Sequence, residues 1–370
     1  MKHLLTAICL AALFLQNDLL AAAEPEKSVL YSVGEEGFTL FRIPSLIVSP
    51  KGTLLAFIEG RRTSRQLTGD IEIMLRRSTD GGKTWSAKQI VAEDGVETLG
   101  NPCPVIDHST GTIWMPFTRS IGADREIQII EGKAKATTVW LTKSTDDGVT
   151  WAKPIEISPT ARKDGWTWYG TGPGVGIQLE SGRLLVPSYH AMMGLKSYRS
   201  HMLYSDDHGK TWVIGDSLDA ESSECQVVER HDGSIHVNAR GMAGNRFRRL
   251  SESKDGGKTW AKPTLDENLP DADCQGSIVA LAKKKGEEKR RWLFANVHGP
   301  KREDLMIHLS EDEGKTWPVS RKIESGLAAY SCLTELPDGS IGCLYERGPK
   351  RLYDEIVFAK FTLDWLRGGK

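Results

Sequence analysis

The sequence is poor in the residues that build metal and nucleotide sites. Six cysteines are scattered over 370 residues, with no C-x-x-C pair. Cys9 falls near the N-terminus, which leaves Cys103, Cys225, Cys274, Cys332 and Cys343. An odd set at these spacings fits neither a zinc pattern nor a disulfide framework and points to buried free thiols. H-E-x-x-H, a P-loop and G-x-G-x-x-G are all missing, so no metal or cofactor is expected. An excess of one charge is also lacking: 48 basic residues face 49 acidic ones, a net charge of −1. That balance gives no electrostatic reason to expect nucleic acid or an anionic membrane as partner. No segment holds a helical period for a useful length.

Long apolar runs are absent beyond the N-terminus. "MKHLLTAICLAALFLQNDLLAAAEPEKS" has a basic start, a short apolar stretch and small residues before Glu24. This is the pattern of a signal peptide, with cleavage expected after Ala22 or Ala23. The apolar stretch is short for a bilayer span. The expectation is a leader over 1–23, a single domain over 24–370 and export through the secretory route, with no membrane span in the mature chain.

What is present is a repeat. Five segments fit S-x-D-x-G-x-T-W: "STDGGKTW" from Ser78, "STDDGVTW" from Ser144, "SDDHGKTW" from Ser205, "SKDGGKTW" from Ser253 and "SEDEGKTW" from Ser310. They start 66, 61, 48 and 57 residues apart, and each follows a short apolar run such as "IEIMLRR". Ser and Asp can bond nearby amides, Gly supplies a positive φ, and Trp packs onto the sheet beneath. These are hairpin turns, and their aspartates are folding residues rather than catalysts. A second series of Gly turns alternates with them at Gly52, Gly111, Gly182, Gly233, Gly286 and Gly339. The turn at Gly286 lies in the charged run "KKKGEEKRR", read as a solvated loop. Six turns and five boxes fit an all-β chain, a six-bladed β-propeller whose last blade closes on the N-terminal strand near "SVLYSV".

"FRIPSLI" followed by these boxes resembles the non-viral exo-α-sialidases (neuraminidases) with Asp-box, or BNR, repeats. "GNPCPV", "WTWYGTGPG", "SECQVVE", "VNARG" and "AAYSCLTELPDGSIGCLYER" resemble segments of the same family, in unbroken order from Phe41 to Glu346. The resemblance implies release of a terminal sialic acid, or a related nonulosonate, with sialylated glycans or related acidic sugars as partners. Such a sugar carries a carboxylate on its anomeric carbon, and the family grips it with three arginines. The planar guanidinium suits that task because it gives two parallel charge-assisted hydrogen bonds. The matching positions are Arg42 in "FRIP", Arg240 in "VNARG" and Arg302 in "GPKREDL", with Glu346 in "LYERG" orienting Arg42. An anionic nucleophile would be repelled by the substrate carboxylate, so the family uses a phenol. Tyr330 matches it, and Glu224 matches the base that activates it.

One member of the set is missing. The family's acid/base aspartate lies on the loop after "FRIP", ahead of an "LRRS"-like run, and counting back from "GDIEIMLRRS" places Leu67 there. Nothing from Thr63 to Thr68 carries a carboxyl group. Losing a general acid costs about 10²–10⁴ in rate. Three readings stay open: a substitute such as Asp70, Glu59, Asp124 or Asp164; turnover restricted to good leaving groups or another acidic sugar; or a non-catalytic sialidase-fold carbohydrate-binding protein. Retention of Tyr330 and Glu224 favours an enzyme, because carboxylate binding needs only the arginines. Trp166, Trp168 and Tyr169 are expected to wall the sugar or to pack in the core. Cys332 stands where relatives often carry a polar residue.

Overall fold

The apolar runs ahead of each Gly turn and each box form strands, and the computed structural model describes residues 23–63, 66–194, 197–218, 221–241, 246–298 and 300–368. The expected leader falls almost wholly outside them. Among the described residues no helix is long and apolar enough to cross a membrane, and no cluster of three or more His, Cys, Asp or Glu is placed to hold a metal.

The strands make six antiparallel blades of a propeller. Blade 1 comprises Leu40–Val48, Leu54–Arg61, Ile71–Ser78 and Gln89–Ala92. Blade 2 begins with Thr98–Gly100 and Val105–Asp107 and continues through Thr112–Ser120, Thr138–Ser144 and Ile155–Glu156. Blade 3 begins with Trp166–Thr171 and Ile177–Gln178, followed by Leu184–Met192, Tyr198–Ser205 and Val213–Ile214. Blade 4 is Ser222–Glu229, Ile235–Gly241, Phe247–Ser253 and Thr264–Pro270. Blade 5 runs through Ser277–Ala280, Trp292–Val297 and Glu303–Ser310 into the long strand Val319–Glu335. The second half of that strand opens blade 6, with Ile341–Arg347 and Glu355–Phe361. The N-terminal strand Glu26–Ser32 then closes blade 6, with Glu26 opposite Lys360 and Ser32 opposite Glu355.

All five boxes share one bonding scheme. In the first, Ser78 Oγ donates to Asp80 Oδ1 at 2.8 Å, and the amides of Gly82 and Thr84 return to Ser78 Oγ and Asp80 Oδ1 at 2.9 Å each. The same contacts recur at Ser144, Ser205, Ser253 and Ser310. The box glycines have left-handed φ, and a Cβ on Gly82 or Gly148 would lie 2.2 Å from Phe358 or 2.3 Å from Leu55 of the preceding blade. Trp85, Trp151 and Trp212 make edge contacts with Phe358, Phe57 and Trp114, again in the preceding blade. The box therefore seals one blade to the next, which a close-packed interior requires.

Boxes and Gly turns lie at one face, because both follow strands running the same way across the blade. The opposite face receives the starts of the innermost strands. There, among the described residues, the pairing slips at the start of four innermost strands, between Arg42 and Ser45, Trp166 and Trp168, Ser222 and Cys225, and Ala328 and Ser331. A bulge bends its strand and re-aims the side chains beside it.

Candidate active site

Glu346 organises the first corner. Its buried carboxylate accepts from Arg42 Nε and Nη2 at 3.0 Å each, from the Ile43 amide at 2.9 Å and from the Tyr330 amide at 3.2 Å. Two bulges thus open around one carboxylate and use its lone pairs. Ile43 adopts φ 62, a costly conformation for a β-branched residue. The four donors on Glu346 hold it there. Burial alone would weaken the charge on Arg42, but Glu346, Tyr353 and Tyr330 together outweigh it and keep the guanidinium firmly protonated.

Tyr330 and Glu224 meet across the axis. The phenol donates to Glu224 Oε1, and Glu224 Oε2 accepts from Arg240 Nη1 at 3.0 Å. Arg240 Nη1 also lies 3.4 Å from the phenol oxygen. The Arg42 and Arg302 guanidinium carbons sit 4.8 and 5.3 Å from the centre of the Tyr330 ring. Burial holds the phenol well above its ordinary pKa and Glu224 adds to this, while Arg240, Arg302 and Arg42 pull it down. The resting phenol is protonated, with an acceptor for its proton already bonded to it.

Arg302, from the loop before Glu303–Ser310, is fixed by neighbours that no motif announces. Its Nη1 donates to the Tyr353 hydroxyl at 2.7 Å and its Nη2 to the Asp273 carbonyl at 2.5 Å. The Tyr353 ring also lies 3.9 Å beneath the Arg42 guanidinium. All three arginines, Tyr330, Glu224 and Tyr353 line one cavity of about 480 Å³.

The loop after blade 1's second strand enters this cavity with Gln66 and Leu67. Neither carries an ionisable proton. Asp70 does not line the cavity. Its carbonyl accepts from the Arg62 amide at 2.9 Å and its amide faces Thr63 Oγ1 at 3.4 Å, so the loop is pinched at Asp70, and of its described residues Gln66 and Leu67 reach the cavity. Asp124 and Asp164 are outside the cavity as well. Glu59 does line it, but Arg61 donates twice to its Oε2, at 3.0 and 2.6 Å, and the Asn101 amide donates to Oε1 at 2.7 Å.

The chain matches the BNR repeat-like domain family over residues 52–343. It is 34% identical over 354 residues to a sialidase of Micromonospora viridifaciens, covering 90% of this chain and 53% of that protein. It is 31% identical over 371 residues to Sialidase-2 of Cricetulus griseus, covering 91% of this chain and 95% of that protein. The chain belongs to the sialidase family. The Hadza microbial sialidase Hz136 superposes with a TM-score of 0.83 at 28% identity, over 92% of this chain and 69% of that one. Against the Micromonospora sialidase and a sialidase of Bacteroides fragilis, this chain spans 53% and 63% of the relative's length.

The rest of the sialidase-family cavity comes from blades 2 and 3. Of the three aromatics singled out in the sequence, Trp168 lines it. Trp166 stacks on His190 with ring centres 3.5 Å apart, and Tyr169 is buried in the blade core. In the Gly172–Gly174 segment the Gly174 carbonyl accepts from Ser45 Oγ at 2.8 Å and the Pro173 carbonyl from Gln226 Nε2 at 2.9 Å, which ties blade 3 to blades 1 and 4. Cys332 lies away from the cavity, where its sulfur accepts from the Leu46 amide at 3.2 Å and joins blade 6 to blade 1. All five described thiols are free and buried. Arg61, Tyr189, Tyr198, Tyr353 and Glu126 also line the cavity and were not singled out from the sequence. Glu126 starts the short helix Glu126–Ile130 and accepts from the Tyr198 hydroxyl at 2.7 Å.

Proposed function

We propose that this protein is an exo-α-sialidase-type glycoside hydrolase that releases a terminal sialic acid or related nonulosonate with net retention. Arg42, Arg240 and Arg302 receive the substrate carboxylate. The Tyr330 oxygen attacks the anomeric carbon as its proton passes to Glu224, the sugar is held as an aryl glycoside, and water then releases it. A neutral nucleophile suits a site built to hold an anion, and the three arginines around the ring stabilise the phenolate character that develops. The observation that carries this reading is the Tyr330 hydroxyl bonded to Glu224 inside the arginine cluster. Carboxylate recognition alone gives no reason to bury a phenol against a carboxylate.

The second reading, a carbohydrate-binding protein without turnover, draws on Leu67 at the position where the family resemblance expects the acid. Turnover of an alkyl-linked sialoside and of an aryl sialoside, with wild type and Tyr330→Phe, separates the two. Hydrolysis of the aryl compound that Tyr330→Phe abolishes supports the enzyme. Binding without hydrolysis of either compound, lost in Arg240→Ala, would establish the binding protein.

A further inference from the structure

We infer that Glu126 supplies the proton that the loop tip cannot, acting as general acid and then general base on the leaving and entering oxygens. This rests on the hydrolytic reading above and names the missing half of its chemistry. Three glutamates line the cavity: Glu59, Glu126 and Glu224. Glu59 is committed to Arg61 and the Asn101 amide. Glu224 is committed to Tyr330 and Arg240. Among the described residues Glu126 has no arginine or lysine bonded to it, and its one side-chain partner is the Tyr198 hydroxyl, a neutral donor at 2.7 Å. A half-buried carboxyl group facing a neutral donor, with a second carboxylate in range, is shifted towards its protonated form. The direction of its pKa agrees: burial raises it, Glu224 raises it further, and Tyr198 and Arg240 pull it down. An anionic substrate entering the cavity adds negative charge and favours the protonated form further.

The steps balance. In glycosylation the Glu126 proton moves to the glycosidic oxygen as the bond from that oxygen to the anomeric carbon breaks. The Tyr330 oxygen bonds to the anomeric carbon and its proton goes to Glu224. In deglycosylation the Glu126 carboxylate takes a proton from water, the water oxygen bonds to the anomeric carbon, and Tyr330 leaves and regains its proton from Glu224. The net change is glycoside plus water to sugar plus alcohol.

The test is Glu126→Gln assayed on an alkyl-linked and an aryl sialoside across pH, with thermal midpoints as a control for folding. Glu126→Gln is expected to lose about 10²–10⁴ in kcat/KM on the alkyl glycoside and little on the aryl one. Wild type acting on the alkyl glycoside is expected to lose activity as pH rises through the Glu126 ionisation, above the ordinary carboxylate value of about 4.3, and the variant loses that alkaline limb. Glu126→Asp retains part of the alkyl activity. Tyr198→Phe removes the donor that favours the ionised carboxylate and moves the limb to higher pH. Equal losses on both substrates in Glu126→Gln, or an unchanged alkaline limb, would overturn the acid assignment while leaving the hydrolase intact. Wild type active on the aryl compound alone overturns it too. Wild type inactive on both overturns the hydrolytic reading and this one with it.

Discussion

Leu67, placed by the family resemblance where an acid is expected, lines the cavity with an apolar side chain. Its neighbour Gln66 shares the cavity wall, so two side chains of this loop face the cavity. Gln66→Asp and Leu67→Asp each put a carboxyl group on that wall. In a Glu126→Gln background, where the acid is removed, at least one is expected to raise turnover of an alkyl-linked sialoside by up to about 10²-fold, with the aryl sialoside little changed. If both leave the alkyl rate where it was, the leaving oxygen does not sit at the loop tip. Tyr353 invites a different test. Its hydroxyl is the acceptor for Arg302 Nη1, while its ring supports Arg42. Tyr353→Phe keeps the ring and removes the acceptor, a hydrogen bond to a charged group of about 1.5–3 kcal/mol. Part of that loss shows as poorer carboxylate binding, about tenfold in KM at nearly constant kcat; an unchanged KM would mean Arg302 is positioned without it. That Arg42, Arg240, Arg302, Tyr330 and Glu224 meet in one cavity was legible in the sequence, because each sits in a motif that the family resemblance singles out. Tyr353, Glu126 and Tyr198 were not legible, since each lies outside the recognised motifs and gains its role from a neighbour 51 or 72 residues away.

Among the elements, the box is the one whose geometry the sequence spelled out, because its hydrogen bonds are local. The bulges are the opposite case. "LFRIPSLIV" forms one strand buried almost throughout, so no alternation of polar and apolar residues betrays the slip between Arg42 and Ser45. Six blades could be counted from turns, but where the innermost strands bend could not. Two kinds of element give the fold a pH dependence of the same sign in different windows. The box aspartates Asp80, Asp146 and Asp255 are held at about 2, chiefly by Thr hydroxyl and amide donors, with burial opposing most strongly at Asp255. Their folded pKa lies below the unfolded value of about 3.9, so the stability they add is present above that value and lost as pH falls towards 2. Burial holds His190 and His236 at about 3 and His308 at about 4. An unfolded histidine takes up its proton near 6.5, so these sites oppose folding increasingly as pH drops below that value. The thermal midpoint is therefore expected to decline first below about pH 6.5 and again below about pH 4. His308→Gln should flatten the first decline and Asp→Asn in one box the second; a midpoint constant from pH 7 to 4 would contradict the histidine part.

At the scale of the whole ring, the seam between the last blade and the first carries the site. Arg42 belongs to blade 1, whereas Glu346 and Tyr330 belong to blade 6, so the buried pair at 3.0 Å spans the joint where the chain's two ends meet. The strand Glu26–Ser32 completes that joint without lining the cavity. Leu30 and Tyr31 are buried in it, and Tyr31 lies 4.9 Å from the Phe41 ring beside Arg42. Losing those two side chains removes about 1.5–3 kcal/mol of burial each. It also leaves Glu355–Phe361 as an open edge, which promotes association between chains. A chain starting at residue 34 is expected to melt lower than one starting at residue 24 and to aggregate at concentrations the longer one tolerates. The loss should reach the chemistry before it reaches the fold. As blade 6 drifts from blade 1, Glu346 cannot hold Arg42, Ile43 and Tyr330 at once, and breaking a buried pair of this kind costs about 3–5 kcal/mol. On warming the shortened chain, turnover of the aryl sialoside should fall at temperatures where far-ultraviolet circular dichroism still reports intact strands. Coincident loss of activity and strands, at the midpoint of the longer chain, would show that the N-terminal strand is not what keeps the seam closed.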